Sequence, residues 1–185
     1  MKICLKPALG LIILLASISL ISTNLVAQTL PEPVAKEIAK DAPNLAKRGE
    51  AALRFIGLKV YDIRLWTAGM IYSYSEPFAL ELVYDLGLKG KDIAERSVTE
   101  MRKQGYNDEA KLKRWGETMA RIFPDIKKGD TLIGVLIPGK EIRFYTREKF
   151  IAAESDMEFA KAFFDIWLSE KTSEPKLRKR LLGLN

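Results

Sequence analysis

Arg54, Lys59 and Tyr61 are the residues whose types could grip a small anion: a guanidinium, an ammonium and a phenol within one short apolar stretch. A guanidinium offers a rigid fork of donors that matches a carboxylate or phenolate. The tyrosine hydroxyl can add a second hydrogen bond, and the lysine supplies charge. Lys59 and Tyr61 stand two residues apart, on one face of a strand, whereas Arg54 is an odd number of residues from both. A regular strand turns Arg54 to the opposite face, and only a bulge at Gly57 would bring the three together. Arg48, beside Gly49, is a rival for the arginine's part, and Tyr61 also reads as a half-buried aromatic with a wet hydroxyl.

What the chain lacks narrows the chemistry further. It has no histidine, and its one cysteine is Cys4. That removes Ser-His-Asp and Cys-His nucleophiles, the usual zinc ligand sets and any disulfide framework. Asp62, Asp85, Asp92 and Glu95 have no helix spacing with apolar shielding that would raise a carboxyl pKa. They read as solvated or capping charges, with Asp92, Glu95 and Arg96 as first-turn charge at a helix N-terminus. The residues assign no catalytic group, no metal and no cofactor.

The first residues set an address. Lys2 and Lys6 precede an apolar run from Ala8 to Ile21, and Leu25-Val26-Ala27 suits cleavage before Gln28. The apolar run is about 14 residues, short of the roughly 20 needed to span a bilayer as a helix. Residues 1–27 are therefore expected to be a cleaved signal peptide, and the protein periplasmic or otherwise exported, with no stable membrane span left. Cys4 precedes the apolar run, which argues against a lipoprotein. From 185 residues, 27 removed leaves 158, a normal single-domain size. The 30 basic residues less Lys2 and Lys6, against 24 acids, leave a mature charge of +4. Basic residues gather late, in Lys171, Lys176, Arg178, Lys179 and Arg180. Such a tail is most often a solvated helix face, with anionic lipid or nucleic acid as alternatives; export argues against nucleic acid.

The elements that must position these residues follow from periodicity. Residues 28–48 read as a polar lead-in in which Pro31, Pro33 and Pro43 confine any helix to Val34–Lys40. Leu53 to Trp66 has aromatic and β-branched residues without a helical period, which indicates one long strand or two segments joined by a bulge at Gly57. Phe78 to Tyr84 alternates as a half-buried strand. Lys91–Gln104 is a helix stopped by Gly105, and Asn107 or Asp108 caps the next, whose stripe of Leu112, Trp115, Met119 and Ile122 runs to Pro124. Thr131–Ile137 and Glu141–Thr146 form a hairpin across Pro138-Gly139-Lys140. Ser155 or Asp156 caps a helix that turns Phe159, Phe163, Ile166 and Trp167 inward. Ser173 with Glu174-Pro175 begins a last short helix through Leu177 and Leu181 to Gly183. Strands, then helices, then a hairpin and more helices fit an α+β layer structure with a largely antiparallel sheet.

Several segments, in this order and spacing, resemble the chalcone isomerase-like family and in particular its exported bacterial branch. They are Gly49-Glu50-Ala51-Ala52-Leu53-Arg54-Phe55-Ile56-Gly57 continuing to Trp66, Phe78 to Leu82, and Leu88-Lys89-Gly90-Lys91-Asp92-Ile93-Ala94-Glu95. Ile122-Phe123-Pro124, Gly129-Asp130, Phe163 to Leu168 and Leu177-Arg178 complete the set, so that the resemblance spans about residues 49–183. It implies an open-faced β-sandwich in which helices cover a large antiparallel sheet above a cleft, and a domain covering 49–185. It implies that Arg54 anchors an anionic oxygen of the ligand. The fold hosts enzymes that cyclise chalcones, plastid relatives that bind fatty acids, and relatives with no known activity, so fold alone does not decide function.

The matching positions depart from the enzymes. Where they carry a tyrosine this chain has Ile93, their asparagine position falls near Glu100, and their strand threonine falls at Val60 or Tyr61. A cyclase must orient a phenolate and stabilise an enolate with donors in a dry site; an isoleucine supplies none, and a glutamate repels the anion. The expectation is a non-catalytic binding protein for a small amphipathic carboxylate or phenolate, such as a fatty acid, held by Arg54, Tyr61 and Lys59. The alternatives are a chalcone isomerase-type intramolecular lyase and a structural or partner-binding envelope protein.

Overall fold

A computed structural model describes residues 29–184; the leader assigned to residues 1–27 lies outside the described residues. Six antiparallel strands form one sheet in the order β1-β2-β3-β4-β5-β6. They are β1 Ala46–Phe55, β2 Leu58–Thr67, β3 Phe78–Tyr84, β4 Thr131–Ile137, β5 Glu141–Thr146 and β6 Phe150–Glu154. The helices are α1 Glu32–Ile38, α2 Gly90–Lys103, α3 Glu109–Ile122, α4 Met157–Leu168 and α5 Pro175–Leu182. The α+β class, the large antiparallel sheet and its helical cover are as the sequence indicates.

One face of the sheet holds the main core. Ile63, Leu65, Leu80, Leu132 and Phe144 from the strands meet Met101, Leu112, Met119, Phe159 and Phe164 from the helices, all buried. The opposite face carries a smaller core, where Val34 and Ile38 of α1 pack on Trp66, Ile133, Val135 and Tyr145. The unbroken apolar run of β4 follows from that double cover, since every one of its residues is buried. The stretch read as a polar lead-in is therefore integral: it supplies α1 and the first residues of β1.

The region from Leu53 to Trp66 is not one strand bulged at Gly57 but a hairpin. Ile56 and Gly57 both take left-handed φ, 47° and 79°, the requirement of a two-residue reversing turn. A β-branched residue there costs about 1–2 kcal/mol, which is why Ile-Gly gave no turn signal. The irregularity lies elsewhere. Leu53 pairs with Tyr61 and Arg54 with Lys59, so the extra residue is Val60. The edge strand β6 was also invisible, because Phe150-Ile-Ala-Ala-Glu154 does not alternate.

Helix boundaries follow side-chain chemistry. Asp108 accepts from the Lys111 N–H at 3.0 Å and caps α3. Asp156 caps α4 by accepting from the N–H groups of Glu158 and Phe159, both at 3.0 Å. Its second oxygen takes the Trp115 indole N–H at 2.9 Å, tying α3 to α4. Burial raises the Asp156 pKa, but these donors and Arg114 hold it below the ordinary aspartate value.

Candidate functional site

A cavity of about 320 Å³ lies between β1–β4 and the helices α2 and α4, at the small end of ligand sites. Leu53, Val60, Leu82, Leu132, Ile93 and Phe163 supply apolar walls from both layers. A hollow of about 330 Å³ between α2 and α3 is an open groove over the surface. Among the described residues no group of three or more His, Cys, Asp or Glu could hold a metal ion.

The cavity's polar groups sit at two levels. On the sheet, Tyr61 is buried and its hydroxyl accepts from the Trp167 indole N–H at 2.9 Å. That leaves the phenol's own proton for another acceptor. Tyr84 stands edge-on to Tyr61 with ring centroids 5.5 Å apart. Burial pushes both phenols far above their ordinary pKa, so they remain neutral donors at physiological pH. On α2, Ile93, Arg96, Ser97 and Glu100 face the cavity together, as spacings of three and four residues dictate.

Glu100 is fully engaged. Its two oxygens accept from Ser173 at 2.6 Å and Lys103 at 2.9 Å, and Arg96 lies 2.6 Å away. Burial pushes its carboxyl up, yet Ser173, Lys103 and Arg96 together hold it below the ordinary glutamate value. A catalytic base needs the opposite tuning. Glu100 is a latch between α2 and the start of α5, and it holds the Arg96 guanidinium at the cavity.

The structure separates the three residues expected to act together. Tyr61 lines the cavity. Arg54 does not, because it lies between Leu53 and Phe55, which do, and strand alternation turns it outward, where it is exposed. Lys59 faces its cross-strand partner Arg54, since the bulge at Val60 removes it from the Tyr61 face. Its ammonium is 2.8 Å from both Asp62 and Asp85, and hydrogen bonds to them raise its pKa. The rival Arg48 covers Gly183 at the end of α5. Arg96 and Trp167 were not anticipated. The spacing of Ile93, Arg96 and Glu100 on one helical face carried the signal for the first, whereas Trp167 is indistinguishable from core by sequence. Val60, Tyr61, Ile93 and Glu100, at or near which the resemblance sets the enzymes' polar residues, all line the cavity.

Residues 63–183 match the chalcone isomerase-like family. A Haemophilus influenzae protein described as uncharacterized is 28% identical over 136 residues, covering 73% of this chain. The matched part is 66% of that relative, so the chain spans slightly less than two thirds of its length. A crystal structure of an Arabidopsis thaliana fatty-acid binding protein is similar in fold, with a TM-score of 0.57 and 11% identity over 75% of this chain and 86% of that one. The family match runs from β2 through α5, about two thirds of the chain: the chain belongs to the chalcone isomerase-like family.

Proposed function

We propose that the protein binds one small amphipathic acid, such as a fatty acid, without transforming it. The supporting observation is an apolar cavity in which the Tyr61 phenol has its acceptor side taken by Trp167 and its proton free. The tail lies against Leu82, Leu132 and Phe163, and the acid oxygens meet the tyrosine hydroxyl and the Arg96 guanidinium. Similarity of fold to a fatty-acid binding protein supports the same reading. Ile93 and the fully engaged Glu100 disfavour cyclisation, because neither can donate to an enolate or take a proton.

Tyr61→Phe removes a ligand donor and strands the buried indole N–H. It should cost about 1–2 kcal/mol in stability and weaken fatty-acid binding roughly tenfold. Arg96 is 62% exposed at its side chain, so Arg96→Ala should weaken binding only about fivefold. Arg54→Ala should change little. Fluorescence titration with a fatty-acid analogue measures all three, and a larger loss from Arg54→Ala than from Tyr61→Phe would move the head group out of this cavity. Chalcone added to the protein should cyclise at its spontaneous rate.

The site is further proposed to work after export. N-terminal sequencing of the protein from its host should begin at Gln28; an intact Met1 in a membrane fraction would refute cleavage.

A further inference from the structure

The β1–β2 turn is apolar where hairpin tips are ordinarily polar. Phe55, Ile56 and Leu58 are 61%, 86% and 64% exposed, and Ile56 holds a left-handed conformation that asparagine or glycine adopts far more readily. Phe55 also lines the cavity, so the apolar tip is continuous with the apolar site. The tip belongs to β1, an edge strand paired only with β2, against which α5 packs. Arg48 and Arg54 of β1 and Lys176, Lys179 and Arg180 of α5 are exposed, and among the described residues no carboxylate pairs with any of them. Glu50, the acid on the same strand, is occupied by Lys47 and Arg64.

We propose that this hairpin tip docks on an anionic lipid bilayer, its apolar side chains entering the interface while the unpaired cations of β1 and α5 meet the headgroups. Three apolar side chains on a rigid two-residue turn penetrate headgroups. Arg54 adjoins the turn, whereas Arg48 and Arg180 lie at Gly49, about 20 Å along β1. The α5 cations therefore reach the headgroups with the β1 edge laid along the surface. The cations argue against a second copy as the occupant, because each copy would present the same unpaired charge. The purpose of such docking, loading a lipid-derived acid through the mouth beside Phe55, rests on the function proposed above; the docking itself does not.

The test uses the protein as its host processes it, with vesicles of phosphatidylcholine with and without phosphatidylglycerol. Sedimentation should show binding to the anionic vesicles that weakens with added salt. The double variant Ile56→Asn/Leu58→Ser touches no cavity wall and relaxes the turn, so it should fold at least as well as the parent. It should bind vesicles roughly tenfold less. Lys179→Gln/Arg180→Gln should lose roughly fivefold per charge on anionic vesicles only. Vesicle binding unchanged in Ile56→Asn/Leu58→Ser, or absent in the parent, overturns the proposal. So does a dimer in solution that this variant dissociates, which would make the tip a self-association surface. Fatty-acid affinity measured without vesicles should be the same in parent and double variant. A parent that binds no acid yet docks on vesicles sinks only the ligand reading.

Discussion

Gly90→Val should be among the most damaging single substitutions in the chain. Gly90 opens α2, and its N–H donates to Asp125 at 3.0 Å. A Cβ at this position would stand 2.1 Å from the Phe123 carbonyl oxygen and 3.0 Å from that of Pro124. Both are backbone atoms, so no rotamer change relieves the clash, and α2 must shift away from the segment that follows α3. Overpacking of this kind costs about 3 kcal/mol, which at this chain length lowers the melting temperature by roughly 6–12 °C. Because α2 carries Ile93, Arg96 and Glu100, whatever folded protein remains should also bind ligand poorly. Gly69→Ala is the control: nothing lies within 4 Å of its added Cβ, and it should stay within about 0.5 kcal/mol of the parent. A Gly90→Val protein that melts with the parent would mean that the loop after α3 is free to move, and that α2 is not held where the site needs it.

Ile93→Trp should weaken ligand binding roughly a hundredfold while sparing the fold. Ile93 projects from α2 into the cavity and is only half buried, so an indole there grows into open volume and not into packed core. A ligand would then have to displace it, an overpacking cost of about 3 kcal/mol, or roughly a hundredfold in affinity. Ile93→Val, which keeps the shape, should bind within a few-fold of the parent. Circular dichroism and melting curves of both variants separate lost binding from lost structure. Tight binding by a well-folded Ile93→Trp protein would place the ligand somewhere else.

These substitutions also show what the sequence made legible. Helices α2 to α5 could be read from apolar stripes and caps, because Asp108, Asp156 and Gly183 do locally what their types allow. The first hairpin could not. Its turn uses isoleucine in a left-handed conformation, and without a turn signal β1 and β2 merge into one apparent strand. That error propagated to the site. A bulge at Gly57 is what would have joined Arg54 to Lys59 and Tyr61, whereas the bulge at Val60 turns Lys59 away from Tyr61 and toward Arg54. Tyr61 itself could be named, because an aromatic hydroxyl in an apolar strand has few other uses. Its partner Trp167 is 106 residues away, and only the fold joins them. Residues 28–48 read as a polar lead-in because prolines and charges hide Leu30, Val34, Ile38 and Ala42, the apolar residues that pack on the second face of the sheet.

One amphipathic acid is proposed to occupy the cavity beside Tyr61. Isothermal titration of the delipidated protein with palmitate tests it most directly, run in parallel on Ile93→Trp. The expected result is saturable binding of one acid per chain by the parent and roughly hundredfold weaker binding by the variant. No binding by the parent, or equal binding by both proteins, would contradict it.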